Sequence, residues 1–300
     1  MKMFPLSRSI MMTSLLLSAS LASTNALAER VEIDHNGRTL NANLELAENK
    51  SLADGVLMLT HGTLAHNEME IISTLQDLMV DYGVSTLSIN LSYGLDNRAS
   101  AMYDCTVPAQ HTMQQATQEM QAWQTWLDGQ GAGDRWIMGH SRGGNQTAQF
   151  AAANEDSIKG QILVAPATWN LADTRKGYSE RYGTSIEALL ETAKSMAPTA
   201  IMEDVSIVYC EKSGATAEAM LSYYGNYPEY DTPTVLADTS IPTLVIAGSL
   251  DTVVPDLPEK MNSIAKDNIE FVVVEDADHF FLDLFADEVA DYAVDFIENL

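Results

Sequence analysis

The stretch Trp136-Ile-Met-Gly139-His-Ser141-Arg-Gly143-Gly144 decides the fold of this chain. An apolar run leads into it and an Ala-rich stretch over 146–153 follows, so the sequence predicts a strand, a sharp turn and a helix. In that setting G-x-S-x-G holds a serine hydroxyl above the end of a sheet. We therefore expect Ser141 to be a nucleophile.

The glycines of this stretch have a steric role. Gly139 and Gly143 stand two residues before and two after the serine and have no Cβ to collide with a strained turn. The helix that follows would aim its free N–H groups at the serine. Taken alone, the five-residue pattern also fits a Gly-rich connection without chemistry.

Two further residues complete the order Ser, Asp, His that this pattern requires. Asp251 follows an apolar stretch over 243–248, and His279 follows a second one over 271–274. Both stretches predict strands, and the loops at the carboxyl ends of parallel strands are where open α/β sheets keep their functional residues. The sequence therefore predicts a catalytic triad of Ser141, Asp251 and His279.

The acid has two rivals close to the histidine. Asp276 and Asp278 lie so near His279 in sequence that either would need a tight local turn to reach its Nδ1. We therefore assign the acid to Asp251.

An upstream segment supplies the last part of an acyl-transfer site. The apolar strand over 56–60 runs into His61-Gly62-Thr63-Leu64. A tetrahedral oxyanion needs two preorganised donors, one on the residue after the serine and one on the loop after this earlier strand. The backbone N–H groups of Thr63 and Arg142 are the expected donors.

These segments together resemble the α/β-hydrolase superfamily over essentially everything that follows residue 28. The chain looks most like exported, largely uncharacterised hydrolases of Gram-negative bacteria, through His61-Gly-Thr-Leu-Ala-His66 and Met102-Tyr-Asp-Cys105. The resemblance implies an α/β-hydrolase fold, a mostly parallel sheet with helices on both faces and a cap-like insertion. It implies a reaction class and leaves the substrate open.

The expected function is an exported serine hydrolase that cleaves an ester, a thioester or an amide through an acyl-enzyme. Two alternatives remain open. One is an acyltransferase or a cofactor-free haloperoxidase on the same triad, and the other is a catalytically silent binding protein on this fold.

Apolar periodicity predicts the order of the elements. Strands around 31–33 and 39–46, joined by Asn36-Gly37, form a hairpin. The remaining predicted elements are, in chain order, strand 55–60, helix 68–81, strand 84–91, helix 112–127, strand 161–164, a short strand near 206–209, and a closing helix over 284–298. This alternation predicts one α/β domain over 29–300, with the insertion at about 167–238.

The first 28 residues have the composition of a cleaved secretory signal peptide. They carry Lys2 and Arg8, an apolar stretch over 10–22, and Ala26-Leu-Ala28 before Glu29. The alternative is an uncleaved membrane anchor, although the apolar stretch is short for a bilayer span. We expect a periplasmic or secreted protein with no stable membrane anchor after cleavage.

The charge of the chain excludes some partners. Removing Lys2 and Arg8 takes the formal net charge from −26 to −28. A protein with this net negative charge repels nucleic acid and anionic membranes. The expected partner is therefore a small-molecule acyl substrate, and no nucleic acid is expected. The sequence sets no expectation for the oligomeric state.

Cysteine and histidine usage sets two further expectations. Cys105 and Cys210 are the two cysteines of the chain, and an exported protein favours a disulfide between them over two buried thiols. Four histidines, at 61, 66, 111 and 140, invite a metal site, but no helical H-x-x-x-H pair with an acid occurs. We expect neither a metal nor a cofactor.

Two segments are expected to shape the substrate pocket. The loop over 92–110 offers Tyr93. In the insertion, Arg175, Lys176 and Arg181 form a basic cluster in an acidic chain, and this cluster is either an anion-binding rim or a solvated helix end.

Overall fold

The computed structural model describes Met1, residues 28–264 and residues 266–300. The predicted signal peptide, over 1–28, lies outside these residues except for its two ends. No helix in the described ranges is long and apolar enough to cross a membrane.

The main sheet has eight strands. In chain order, with two short strands of the insertion included, the strands are β1 Glu29–His35, β2 Arg38–Glu45, β3 Val56–Thr60, β4 Thr86–Asn90, β5 Arg135–His140, β6 Gly160–Val164, β7 Ile201–Met202, β8 Ala215–Thr216, β9 Thr243–Gly248 and β10 Ile269–Val274. The sheet order is β1-β2-β4-β3-β5-β6-β9-β10, and β2 is the strand that runs antiparallel to its neighbours. The predicted mostly parallel sheet is confirmed.

Nine α-helices lie in the described ranges. They are α1 Glu70–Asp81, α2 Met113–Gly129, α3 Arg142–Ala153, α4 Leu171–Tyr182, α5 Ile186–Ser195, α6 Ala217–Tyr224, α7 Thr232–Leu236, α8 Leu257–Met261 and α9 Leu284–Glu298. The closing helix has the predicted bounds. Helix α3 begins four residues earlier than its Ala-rich stretch because it starts directly after Ser141.

Register brings the strand ends to one edge of the sheet. Thr60 at the end of β3 pairs with Gly139 of β5, and Gly248 at the end of β9 pairs with Val274 at the end of β10. Strands β3, β5, β6 and β9 are buried along most of their length, which is why they read as continuous apolar runs rather than as alternating patterns. The loops after β3, β5, β9 and β10 therefore meet at one end of the sheet.

The predicted hairpin is confirmed. Asn36 and Gly37 both have positive φ, 55° and 75°, at the turn between β1 and β2. Two consecutive residues in that region form the turn whose twist matches paired antiparallel strands, and Asn-Gly tolerates it best.

The apolar core has two parts, one on each face of the sheet. Helices α1 and α9 cover one face through Leu75, Met79 and Ala290. Helix α2 covers the other through Trp123, in a cluster that continues into α6 of the insertion through Met220. The segment between β6 and β9 thus packs on the same core as α2.

The short strand predicted near 206–209 is wrong. Ile207 and Cys210 exchange backbone hydrogen bonds of 2.9 and 2.8 Å across a tight turn, and Val208 has φ 55°. These two residues form an isolated bridge across the turn, and no strand is present at 206–209. The backbone of Val208 is bonded instead to side chains, its N–H to the Tyr224 hydroxyl at 2.7 Å and its carbonyl to Tyr182.

Candidate active site

Ser141 stands at the turn between β5 and α3 in a strained conformation. Its φ is 58° and its ψ is −125°, a region that a residue with a Cβ rarely occupies. The chain tolerates this turn because its neighbours are glycines. A Cβ on Gly139 would lie 2.4 Å from Thr147 Oγ1, and one on Gly143 would lie 2.3 Å from the His61 carbonyl oxygen. The predicted steric role of both glycines is what the packing requires.

Ser141, His279 and Asp251 lie in one chain of hydrogen bonds. His279 Nε2 is 2.9 Å from Ser141 Oγ, and His279 Nδ1 is 2.7 Å from Asp251 Oδ2. Asp251 Oδ1 accepts the backbone N–H groups of Val253 at 2.7 Å and Val254 at 3.0 Å. Loops after β5, β9 and β10 thus bring together the three side chains assigned from the sequence.

The environment of Asp251 favours its ionised form. The side chain is buried, and burial raises the pKa of this carboxyl. The hydrogen bonds from His279, Val254 and Val253 outweigh burial and place the pKa below its ordinary value. At neutral pH the carboxylate therefore accepts the Nδ1 proton of His279, which leaves Nε2 free to accept the proton of Ser141.

The two rival acids do not contact the imidazole. Asp278 is exposed, and its Oδ1 accepts the backbone N–H of Phe280 at 2.8 Å. Asp276 is exposed as well, and its backbone N–H donates to Ser249 Oγ at 2.8 Å. Of the three carboxyls, Asp251 is the one within hydrogen-bond distance of His279.

His140 contacts the main chain of His279, a relationship that the sequence did not reveal. Its ring is buried, with Nε2 2.8 Å from the His279 carbonyl oxygen, and the two imidazole centroids are 4.9 Å apart. Burial, with a smaller contribution from the neighbouring His279, lowers the pKa of His140 to about 4. A neutral His140 therefore donates Nε2–H to this carbonyl and fixes the loop that carries His279.

The two residues expected to supply the oxyanion-hole donors are Arg142, directly after Ser141, and Thr63, in the loop after β3. Neither backbone N–H donates to a protein acceptor within the described ranges. Their side chains contact each other, since Arg142 Nε donates to Thr63 Oγ1 at 3.0 Å. The loop approaches the serine closely. A Cβ added to Gly62 would lie only 3.1 Å from Ser141 Cβ. Both N–H groups thus lack a protein acceptor in the described ranges, one on the residue after Ser141 and the other on the residue after Gly62.

The loop after β3 rests on a buried histidine and a buried arginine. His61 Nδ1 donates to the Gly62 carbonyl at 3.0 Å, and its Nε2 accepts the Leu91 N–H at 3.0 Å. Burial, with a smaller contribution from the positive charge of Arg98, lowers the pKa of His61 to about 3, so His61 is neutral. The Arg98 guanidinium has four oxygen acceptors, on Leu91, Ala101, Ala65 and Asn90. Nothing in the sequence indicates this role of Arg98, because the carbonyl acceptors that surround it leave no local pattern.

Tyr93 is buried beside this loop. Its hydroxyl donates to the Gly62 carbonyl at 3.1 Å, and its ring lies 4.7 Å from that of His111. His111 in turn contacts Tyr223 of α6, with Nδ1 2.8 Å from the phenol oxygen. Tyr93, Tyr103, His111 and Tyr223 thus form an aromatic cluster between the loop over 92–110 and the insertion. The structure therefore places Tyr93 in packing around the site, with its hydroxyl already engaged.

The structure gives each residue of the basic cluster its own partner. On α4, Arg175 pairs with Glu187 at 3.1 Å and Lys176 with Glu180 at 3.7 Å. Arg181 donates to the Val208 carbonyl at 3.3 Å and lies over the Tyr209 ring. These contacts favour the solvated helix end over the anion-binding rim.

The predicted disulfide is confirmed. Cys105 and Cys210 are bonded, with their Cα atoms 5.2 Å apart. The bond ties the loop over 92–110 to the turn of the insertion that replaces the predicted short strand. Within the described ranges, no group of three His, Cys, Asp or Glu side chains is placed to hold a metal ion.

Comparison with protein families gives one match over most of the chain. The family described as "Alpha/beta hydrolase family" matches residues 57–292. A search of curated proteins by sequence gives no match.

Solved structures share the fold at low sequence identity. Est1E from Butyrivibrio proteoclasticus superposes with a TM-score of 0.65 at 20% identity, covering 90% of this chain and 99% of that one. A monoacylglycerol lipase of Paleococcus ferrophilus gives 0.59 at 13% identity, covering 86% and 99%. A Pyrococcus furiosus esterase gives 0.61 at 16% identity, covering 91% of both chains.

Proposed function

The chain belongs to the alpha/beta hydrolase family, and on this basis we propose that it is a serine hydrolase that cleaves carboxylic esters through an acyl-enzyme. The observation that carries the proposal is the hydrogen-bonded series Ser141–His279–Asp251, in which the serine has the strained backbone of a nucleophile turn.

The first half of the reaction acylates the enzyme. Ser141 Oγ attacks the ester carbonyl while His279 Nε2 takes its proton. The ionised Asp251 holds Nδ1–H in place and stabilises the imidazolium. When the tetrahedral intermediate collapses, Nε2–H protonates the leaving alcohol and the acyl group stays on Oγ. Water, deprotonated by His279, then releases the acid and restores the serine.

The free N–H groups of Thr63 and Arg142 support this mechanism. A donor that has no protein acceptor in the resting enzyme is available for the negative oxygen of the tetrahedral intermediate. Removing one such donor in other serine hydrolases costs about 10²–10³ in kcat. Because both donors are main-chain groups, side-chain substitution at either position leaves them in place.

The structural neighbours favour esters among the possible acyl substrates. One neighbour is named as a monoacylglycerol lipase and another as an esterase, and Est1E has also been solved with ferulic acid bound. Thioesters and amides need the same nucleophile and the same base, so they belong to the same proposal with a different leaving group.

The test is covalent labelling followed by turnover. A fluorophosphonate probe should label the wild type on Ser141 and leave Ser141→Ala unlabelled. Circular dichroism should show that both proteins are folded. Nitrophenyl esters of increasing chain length then define the acyl preference. Added alcohols separate hydrolysis from acyl transfer, since a transferase would give mainly the new ester. Absence of both labelling and turnover in the folded wild type would contradict the proposal.

We also propose export, with cleavage before Glu29. Two observations support it: the confirmed disulfide suits an oxidising compartment, and β1 begins at Glu29, which pairs with Leu44. Cleavage there would leave every strand complete. Mass spectrometry of protein from the periplasm or the medium should give Glu29 as the first residue, and recovery of chains that retain Met1 there would contradict the proposal.

A further inference from the structure

Arg142 presents a positive charge beside the nucleophile. It directly follows Ser141 and is half-buried at the start of α3. Because α3 begins here, the partial positive charge of its free N–H groups adds to that of the guanidinium.

Three uncharged contacts hold the guanidinium. Its Nε donates to Thr63 Oγ1 at 3.0 Å, and its Nη1 contacts Met113 Sδ at 3.5 Å. Its central carbon lies 5.1 Å from the centroid of the Tyr223 ring. The contacts come from the loop after β3, the start of α2 and α6 of the insertion, so the side chain has one defined position.

The charge and most of the donors of Arg142 remain unused. None of the contacts of its side chain in the described ranges is to a carboxylate, although the chain has 42 acidic residues and 16 Lys and Arg residues. A guanidinium has five N–H groups, and the contacts above use one for an oxygen and one for a sulfur. Arg98, by contrast, has four oxygen acceptors.

The neighbours of Arg142 do not compensate its charge. Burial lowers the pKa of His111 to about 3, and the positive charge of Arg142 is the next cause. The phenol of Tyr223 under the guanidinium is buried and has its pKa raised by burial, so it stays neutral. The site therefore has an oriented cation whose counter-charge is missing.

We propose that the guanidinium of Arg142 binds a negatively charged group of the substrate, a carboxylate or a phosphate, close to the reacting carbonyl. This inference rests on the proposed ester hydrolysis and adds its substrate class. The planar fork of Arg suits a two-oxygen contact with such a group. The net negative charge of the protein repels anions in general. The contact with Arg142 would offset this repulsion for anionic esters bound at the serine.

The anion could belong to the acyl group or to the leaving group, and two substrate pairs distinguish these sources. The acyl pair is mono-4-nitrophenyl glutarate and 4-nitrophenyl pentanoate. The leaving-group pair is 4-acetoxybenzoate and 4-acetoxybenzamide. For each pair the measured quantity is the ratio of kcat/KM, anionic over neutral, after subtraction of the uncatalysed rates. A ratio cancels any loss of oxyanion stabilisation that is common to both members.

Arg142→Gln should lower this ratio about 10-fold or more in one of the two pairs, mainly through KM, and Arg142→Lys should restore part of it. The matched control is the triple variant Arg175→Gln, Lys176→Gln, Arg181→Gln, which removes three charges from α4 and should leave both ratios unchanged. Unchanged ratios in Arg142→Gln, or a loss in the control alone, would overturn the inference.

A measurement on the wild type covers the case in which Arg142→Gln does not fold. Glutarate should inhibit hydrolysis of the neutral ester competitively at a concentration well below that of glutaramide, and equal inhibition would overturn the inference. The proposed function is tested separately from this inference. If the wild type hydrolyses neutral esters and reacts with a fluorophosphonate, the proposed function stands even when the ratios contradict the role of Arg142.

Discussion

The Nε2 of His140 lies 2.8 Å from the main-chain carbonyl oxygen of His279, so the residue before the nucleophile holds the loop of the base. The contact spans 139 residues of sequence and joins the end of β5 to the loop after β10. The distance between Ser141 and His279 is thereby set from both sides, by the side-chain hydrogen bond and by this backbone anchor.

Loss of this anchor should impair turnover more than substrate binding. We expect His140→Ala to lower kcat about 10- to 100-fold with little change in KM, because a small displacement of the base is costly. The control is His111→Gln, which replaces another buried histidine away from His279. Steady-state kinetics and the rate of fluorophosphonate labelling check the prediction, and equal effects of both variants would contradict a positioning role.

Substitution should distinguish Asp251 from the two acids that lie near His279 in sequence. We expect Asp251→Asn to lower kcat by about 10⁴, since the amide holds His279 in the wrong tautomer. Asp278→Asn is the matched control, because its carboxylate binds only the Phe280 N–H in the same region. Full activity in Asp251→Asn together with loss in Asp278→Asn would reverse the assignment.

Stability should fall in mild acid. His61, His111 and His140 have pKa values lowered by burial to about 3, 3 and 4, from an unfolded value of 6.5. Between pH 6.5 and pH 4 the unfolded chain binds protons that the folded protein excludes, so the free energy of unfolding decreases as the pH falls. The loss is on the order of 3 kcal/mol for each histidine.

Chemical denaturation at several pH values measures this loss. Burial raises the pKa of Glu119, so that residue acts in the opposite direction and reduces the total. In His111→Gln, stability should depend less steeply on pH over this range than in the wild type. An identical slope would contradict the contribution of His111.

The Cys105–Cys210 bond should add substantial stability. It closes a loop with a sequence separation of 105, and the chain-entropy model gives about 4–5 kcal/mol for such a loop. Guanidinium unfolding with and without reductant measures it, and thiol counting on the denatured, unreduced protein should find no free thiol. The Cys105→Ala, Cys210→Ala double variant is the control and should not respond to reductant.

Glycine substitutions should have opposite effects at two helical positions. Gly143→Ala would place a Cβ 2.3 Å from the His61 carbonyl, and we expect a loss of about 1–3 kcal/mol. Gly177→Ala in α4 meets no atom within 4 Å and should stabilise by about 0.5–1 kcal/mol, because alanine is the better helix former. Thermal unfolding of both variants compares them, and a stable Gly143→Ala would show that the turn can relax.

The order of elements was predictable because it depends on local patterns. The apolar stretch over 243–248 and the closing helix over 284–298 lie where periodicity places them. Asp251 and His279 were predictable partners of Ser141, because each follows a predicted strand and the three occur in the order Ser, Asp, His. Contacts to distant backbone groups were not predictable. Nothing in the sequence indicates that the His140 side chain binds the carbonyl of His279.

The segment over 206–209 shows why local patterns fail. Its apolar residues favour a strand, but tertiary contacts decide their conformation, with the Tyr224 hydroxyl bonded to Val208 and Cys210 bonded to Cys105. For Arg175 and Lys176 the sequence left open an anion-binding rim or a solvated helix end, and their partners Glu187 and Glu180 favour the helix end. In both segments the deciding partners lie outside the local sequence pattern.

The presence of just two cysteines has a consequence for biogenesis. A chain with four cysteines can pair in three ways and needs an isomerase to correct errors, whereas Cys105 and Cys210 have one intramolecular pairing available. Formation of this bond therefore requires an oxidant and no correction of wrongly paired cysteines. A host that supplies a thiol oxidase alone should yield the fully bonded enzyme.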